Sequence, residues 1–203
     1  MAKTEVPTQK MTFEEFLDWC DEDTWAEWVD GEVVMVAPAS NKHQDLRGFL
    51  ESILRLYAEA HELGKVFGAP FLMKLPETLR RGREPDILFI AKDHLSRLQT
   101  TYLDGSADLA MEIISPESRL RDRGEKFAEY ELGGLREYWF IDPDEKRVDF
   151  YLLDAEGRYA RRRPDAQGIY RSETMKGLWL EVEWLWQEPL PKLIQVQREL
   201  GLI

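Results

Sequence analysis

Two acidic residues interrupt short apolar segments of the sequence. Asp86 lies in PDILFI (85–90), and Glu112 lies in DLAMEII (108–114). Apolar runs of this length are typical of central strands that are buried on both faces. A carboxylate inside such a strand is costly unless it is paired or binds a metal, although an acid at a strand end could contact solvent instead. Two carboxylates on neighbouring strands would suit Mg²⁺ or Mn²⁺, which could activate water for attack on a phosphodiester.

The segment after Glu112 contains a lysine that could assist this chemistry. The pattern predicts a helix over 118–131, in which Asp122, Lys126 and Tyr130 are spaced by four and share one face. If that face packs toward the sheet, Lys126 lies near the metal and stabilises the charge that develops on the phosphate. Asp122 and Lys126 could instead form an ion pair that is exposed to solvent.

Arginines cluster near both acids and again farther along the chain. The three clusters are Arg80, Arg81 and Arg83; Arg119, Arg121 and Arg123; and Arg161, Arg162 and Arg163. Each cluster alone is typical of a solvated, ion-paired surface. Members of the first two clusters lie close in sequence to the acids and are candidates for phosphate contacts, which fix position without reading base sequence. These candidates are Arg83, Arg119, Arg121 and Arg123.

The first elements can be predicted from local signals and hydrophobic periodicity. Thr12 and Glu15 form a capping-box pattern, which predicts a helix that runs to about Cys20. An Asp-Gly pair between two apolar runs predicts a hairpin over 25–37. Apolar residues at helical spacing predict a long amphipathic helix over 41–61.

The later segments alternate between short strands and turns. Gly64 is expected to end the long helix, and residues 76–84 are expected to be a polar loop. Strands are predicted at 65–75, 85–90, 108–114, 137–142, 147–153, 158–162, 169–175 and 178–186, with a last helix at 190–200. This order of elements predicts a mixed α/β sheet in one domain.

Composition limits the classes of protein that the chain can belong to. With 203 residues, the chain is long enough for one domain (1–203), of which we expect residues 1–10 to be a flexible N-terminal segment. Its net charge of -12 argues against a protein that coats nucleic acid through its overall field. The single cysteine, Cys20, excludes an internal disulfide, so we expect a reducing, cytoplasmic location. No apolar run is long enough to cross a bilayer.

Six stretches of the sequence, taken in order, resemble the Uma2 (DUF820) family, a branch of the PD-(D/E)XK nuclease superfamily. They are TFEEFLDW, EWVDGEVVMVAPASNKHQ, REPDILFI, DLAMEIISPES, DRGEKFAEYELGGLREYWFIDP and GLWLEV, and together they extend over nearly the whole chain. The resemblance implies a restriction-endonuclease-like α/β (α+β) core, in which a mixed β-sheet is flanked by helices.

The resemblance also implies roles for particular residues. The Pro-Asp pair of the family corresponds to Asp86 and its second acid to Glu112, which would bind Mg²⁺ or Mn²⁺ together with the backbone carbonyl of Ile113. The superfamily has a lysine two residues after the second acid, where this chain has Ile114. Lys126 on the next helix is its replacement.

Two further positions match the family. Glu27 corresponds to a recurrent acid before the Asp-Gly turn and would be an extra ligand for metal or water. His43, at the start of the long helix, is either a catalytic group or a helix cap and core partner.

These expectations combine into one functional hypothesis with two alternatives. The chain would be a metal-dependent endonuclease that hydrolyses DNA, and a homodimer because nucleases of this type often pair to cut both strands. An inactive nucleic-acid-binding protein would bind without turnover, and Ile114 favours that alternative. A scaffold homo-oligomer would bind neither metal nor DNA, and the net charge of -12 favours that one.

Overall fold

The described residues form thirteen short strands, arranged in three sheets, and four α-helices. The computed structural model describes residues 6–21, 23–115 and 122–203, with side chains from residue 124 onward in the last range. The helices are α1 (Phe13–Trp19), α2 (Asn41–Ala60), α3 (Phe127–Leu132) and α4 (Leu193–Glu199), and a π-helical turn (Asp122–Lys126) leads into α3. The strands are β1 (Ala26–Val29), β2 (Glu32–Met35), β3 (Gly64–Gly68), β4 (Leu72–Lys74), β5 (Arg81–Arg83), β6 (Ile87–Ala91), β7 (Tyr102–Asp104), β8 (Leu109–Ile113), β9 (Glu137–Asp142), β10 (Arg147–Leu153), β11 (Tyr159–Arg162), β12 (Ile169–Arg171) and β13 (Trp179–Glu181).

The N-terminal elements follow from local sequence signals. Thr12 Oγ1 accepts a hydrogen bond from the Glu15 N–H (3.1 Å), and the Glu15 carboxylate accepts one from the Thr12 N–H (2.7 Å), which completes the capping box of α1. Asp30 and Gly31 both adopt positive φ, as the two-residue turn between β1 and β2 requires. The predicted helix and hairpin are therefore confirmed.

A six-stranded mixed sheet forms the centre of the molecule. Its strand order is β11-β10-β9-β8-β6-β3, in which β8 and β9 are parallel and the other neighbours are antiparallel. The apolar segments that the sequence assigned to central strands become β6 and β8. A five-stranded sheet of order β2-β1-β5-β4-β7 and the β12-β13 hairpin accompany it. This mixed α+β arrangement confirms the predicted fold class.

The central sheet has an apolar core on each face. On one face, side chains such as Leu50 of α2 and Phe150 pack with the C-terminal elements. On the other face, Tyr130 of α3 packs with residues of β6, β8 and β9. Successive side chains of a strand point to opposite faces. Ile113 lies in the first core and Ile114 in the second, so Glu112 shares its face with the second core.

Two predicted boundaries differ from the observed ones. α2 ends at Ala60, four residues before Gly64, and both Glu62 (φ 49°) and Gly64 (φ 153°) have positive φ. The predicted strand 65–75 is divided into β3 and β4, which belong to different sheets. The division falls at Pro70, whose nitrogen cannot donate to a strand ladder.

Three other segments were assigned imperfectly from their patterns. The expected loop 76–84 contains β5, which looks like a loop because two of its three residues are arginines. In 178–186, only Trp179–Glu181 is a strand, and Val182–Trp186 forms a 3-10 turn in which the adjacent residues Trp184 and Leu185 are both buried. Of the expected strand 169–175, only Ile169–Arg171 pairs. Within the predicted helix 118–131, residues 118–121 lie outside the described part.

No helix within the described ranges combines the length and the apolar character that a membrane crossing demands.

We expect the core around α2 to be the main source of stability. Substitution of one buried and one exposed leucine of this helix tests that expectation. Leu50 is 0% exposed and Leu56, on the same helix, is 40% exposed. Leu50→Ala should lower the free energy of unfolding by about 2 to 5 kcal/mol because it leaves a cavity. Leu56→Ala, as the matched control, should change it by less than about 0.5 kcal/mol. Urea denaturation followed by circular dichroism measures both, and equal effects would contradict this packing.

Candidate active site

The strand register brings Asp86 beside Glu112. β6 and β8 are antiparallel with Ile87 opposite Met111, so Asp86, one residue before β6, is opposite Glu112. The Ile113 N–H donates to Asp86 Oδ2 at 2.7 Å. The Asp86 side chain is 16% exposed, so it occupies a strand end in contact with solvent. Of the two environments that the sequence allowed, Asp86 has the strand-end one and Glu112 the buried one.

Glu112 is a buried carboxylate with donors on one oxygen. Its residue is 3% exposed in the middle of an otherwise apolar strand. Glu112 Oε1 accepts hydrogen bonds from Lys126 Nζ at 2.9 Å and from the Tyr130 hydroxyl at 2.6 Å. Burial, together with the negative charge of Glu112, raises the pKa of Tyr130 well above its ordinary value. Tyr130 therefore keeps its proton and acts as a donor.

Lys126 joins the two sheets through a pair of carboxylates. Its ammonium group lies 2.9 Å from Glu112 Oε1 on β8 and 3.1 Å from Glu27 Oε1 on β1. The π-helical turn ends at Lys126, and Tyr130 follows one α-helical turn later on the same face. Lys126 is buried, which excludes the alternative of a solvent-exposed pair for this side chain. The side chain of Asp122 lies outside the described part of the structure.

Arg83 forms ion pairs with the carboxylates of Glu27 and Glu129. The register of β1 and β5 brings Arg83 opposite Glu27, and its Nη1 donates to Glu27 Oε2 at 2.8 Å. Its Nε and Nη2 donate to the two oxygens of Glu129 at 2.7 and 2.9 Å. Burial alone would lower the pKa of Arg83, but its bonds to Glu129 and the charges of Glu27 and Glu129 raise the pKa above its ordinary value. Arg83 is a permanent cation inside the protein.

Of the four arginines that we expected to contact phosphates, Arg83 is the one whose side chain the structure describes. Arg83 is fully buried and binds carboxylates, so its guanidinium is not presented to a ligand at the surface. The sequence pattern could not distinguish a buried from an exposed arginine because the acidic partners are distant in sequence. Arg119 and Arg121 lie outside the described residues, as does the side chain of Arg123.

His43 lies at the edge of the site next to Asp86. Its Nε2 is 3.1 Å from Asp86 Oδ1, and its backbone N–H donates to Ser40 Oγ at the start of α2. Its Nδ1 is buried and makes no hydrogen bond within the described residues. Ser40 rather than His43 therefore caps α2, and the His43 side chain contacts an acid of the candidate site.

Two acids next to the site, Glu84 and Glu129, were not predicted from the sequence. Burial and the charge of Glu27 raise the pKa of the partly buried Glu84 to about 8, although Lys126 opposes this shift. Its position directly before Pro85 and Asp86 was the available signal. Glu129, the partner of Arg83, is three residues after Lys126 and so lies near it on the helix surface.

The donor atoms suit a hard divalent cation. Asp86 and Glu112 offer carboxylate oxygens on neighbouring strands, and Ile113, whose N–H binds Asp86, also carries a backbone carbonyl. Mg²⁺ prefers such oxygen ligands and keeps several waters. Over the described ranges, no group of three or more acidic, histidine or cysteine side chains is close enough to form a complete metal cage.

Comparison with known proteins identifies the family. Residues 13–183 match the model of the Uma2 family, which is described as "Putative restriction endonuclease". The chain belongs to the Uma2 family. Membership supports a nuclease function with a nucleic acid substrate. No curated protein matches this Uma2 chain.

A solved structure agrees with the fold of this Uma2 chain. It is described as a "putative nuclease belonging to DUF820 from Anabaena variabilis ATCC 29413", and it superposes with a TM-score of 0.72 at 17% identity. The match covers 87% of this chain and 97% of the other. The likeness establishes the restriction-endonuclease-like fold.

We expect Arg83 to contribute strongly to stability because it pairs with both Glu27 and Glu129. Arg83→Leu should lower the free energy of unfolding by about 3 to 5 kcal/mol, since it removes the cation that the two carboxylates share. Glu27 would keep its contact with Lys126, and Glu129 would keep its contact with Arg81. Arg171→Leu is the matched control, because Arg171 is 65% exposed in a surface pair with Asp165 and should cost less than about 1 kcal/mol. Chemical denaturation measures both losses. Similar losses of unfolding free energy for the two variants would show that Arg83 does not stabilise the protein through these ion pairs.

Proposed function

We propose that this Uma2 protein is a metal-dependent endonuclease that hydrolyses phosphodiester bonds of DNA. The observation that carries the proposal is the position of Lys126 Nζ, 2.9 Å from Glu112 Oε1 in the strand row that also contains Asp86. Lys126 is 14 residues from Glu112 in the sequence, yet its ammonium group donates to that carboxylate in the folded protein. A buried lysine beside an acid pair can promote phosphodiester hydrolysis, because it puts a fixed positive charge next to a cation-binding site.

The charge of the site supports a divalent ion. Its contacts join more carboxylates than cationic side chains: Glu27, Asp30, Glu112 and Glu129 contact Arg81, Arg83 and Lys126, and Asp86 lies opposite Glu112. An excess of negative charge in a partly buried site is costly without a counter-ion. A divalent cation would reduce this excess.

Each residue of the site would have its own role in hydrolysis. Asp86, Glu112 and the carbonyl of Ile113 would hold Mg²⁺ or Mn²⁺, which supplies charge neutralisation and lowers the pKa of a bound water. Lys126 would stabilise the negative charge that develops on the phosphate. Glu27 fixes the lysine from the side opposite Glu112, and Tyr130 orients the Glu112 carboxylate through its hydroxyl.

Asp86→Asn should abolish cleavage while preserving the local structure. The asparagine carbonyl can still accept the Ile113 N–H, but the charge that binds the cation is lost. We expect plasmid nicking with Mg²⁺ or Mn²⁺ at low salt to fall by at least about 100-fold, and Lys126→Met to lose a similar factor. Arg171→Leu, purified identically, should cut like the wild type.

The outcomes of this assay separate the alternatives. If Asp86→Asn cuts at the wild-type rate, the activity comes from elsewhere and the site is wrong. If only Lys126→Met retains activity, the cation site stands and the role of the lysine does not. If the wild type binds DNA without cutting it, the inactive nucleic-acid-binding alternative replaces the endonuclease.

Cation binding has a readout that is independent of catalysis. A ligand at about 100 times its dissociation constant stabilises the folded state by about 2.7 kcal/mol. We expect Mg²⁺ to raise the melting temperature of the wild type, and to leave that of Asp86→Asn nearly unchanged. Thermal denaturation with Mg²⁺ and with a chelator measures the shift. Equal shifts in the two proteins would mean that Asp86 is not a ligand.

A further inference from the structure

The row of residues that contains the candidate site continues across the sheet. Glu112 is opposite Phe140 on β9, and Phe140 is opposite Asp149 on β10. Residues opposite one another on neighbouring strands share a face, so Asp149 points to the same side as Glu112. Two strand spacings of about 4.8 Å separate their backbones by roughly 10 Å.

Asp149 is a buried acid that holds two exposed arginines. Its side chain is 2% exposed, whereas those of Arg147 and Arg161 are 43% and 47% exposed. Arg147 Nη2 lies 2.6 Å from Asp149 Oδ2, and Arg161 Nη2 contacts Asp149 Oδ1. Arg147 and Asp149 line a surface pocket together with Phe127, Phe140 and Tyr151. Arg161 is attached to this pocket through its contact with Asp149.

One carboxylate cannot satisfy two guanidinium groups. Each arginine carries five N–H donors in a rigid plane, and the two together carry one more positive charge than Asp149 neutralises. The two arginines therefore have surplus N–H donors and surplus positive charge relative to Asp149, and this buried partner fixes them. Planar N–H donors in this arrangement match the oxygens of a phosphate group, to which arginine can donate two parallel hydrogen bonds.

We propose that Arg147 and Arg161, held by Asp149, bind a backbone phosphate of the DNA strand whose scissile phosphate lies at Asp86 and Glu112. This inference rests on the endonuclease function proposed above and extends it to a second phosphate subsite. The spacing agrees with a continuous strand, because roughly 10 Å is comparable to the through-space distance between phosphates one or two nucleotides apart on one strand, which exceeds the axial rise of about 3.4 Å. Arg147 and Arg161 supply the surface cations that the buried Arg83 does not.

The salt dependence of DNA binding tests this subsite. Binding of a fluorescently labelled DNA duplex is measured with a chelator, so that no cleavage occurs, over a range of salt concentrations. Each phosphate contact contributes about -0.9 to the slope of log K against log salt. Arg147→Ala together with Arg161→Ala should lower the magnitude of the slope by about 1, because the proposal gives the pair one phosphate. Arg171→Ala should leave the slope unchanged.

A second pair of measurements separates binding from structure. Arg161→Gln removes the positive charge but keeps a polar amide near Asp149, so it should weaken DNA binding without lowering the melting temperature. In plasmid cleavage, the arginine variants should raise KM with little change in kcat, as expected for a contact made equally in the ground state and the transition state.

The outcomes distinguish this inference from the function on which it rests. If the wild type cuts DNA in a metal-dependent manner and the variants keep its slope and KM, only the subsite is wrong. If the wild type neither binds nor cuts DNA, the endonuclease function fails and the subsite fails with it. A lower kcat at unchanged KM would also overturn the subsite, because it would indicate a distorted active site.

Discussion

The ammonium group of Lys126, fixed between Glu112 and Glu27, is the contact on which the site depends. It is buried, and it joins β8 of the six-stranded sheet to β1 of the five-stranded sheet. A buried charge is tolerated only where every partner is present, because removing one leaves the others uncompensated. Arg83 and Glu129 extend the network, so the junction between the sheets is held by charge-assisted hydrogen bonds as well as by apolar packing.

This constraint explains elements whose sequences look unsuited to a protein interior. β5 is a strand of three residues with arginines at both ends, and it is stable because Arg83 meets Glu27 on one side and Glu129 on the other. α3 begins after a π-helical turn. In α3, Glu129 accepts from Arg83 and the Tyr130 hydroxyl donates to Glu112, so both residues belong to the network. Irregular helical turns of this kind are frequent at functional sites.

The sequence predicted the parts of the fold that depend on local patterns. The central strands, the long helix α2 and the hairpin were found from periodicity and turn residues, and the interrupted apolar runs indicated Asp86 and Glu112. Lys126 needed the family resemblance as well, because a spacing of four does not say which way a helix face points. β5 and the environment of Arg83 were beyond this reasoning, since Glu27 lies 56 residues from Arg83 and Glu129 lies 46 residues from it.

A chain with a net charge of -12 can act on DNA only if its charges are separated in space. Long-range attraction is unfavourable here, so binding has to come from short-range contacts, where local charges outweigh the overall field. A row of residues across four strands has that organisation, with the proposed cation ligands Asp86 and Glu112 at one end and Arg147 beside Asp149 at the other. Because one buried acid holds two arginines, positive charge is concentrated at a single position. The overall negative charge, which favoured a scaffold when only the sequence was considered, is therefore compatible with a nuclease.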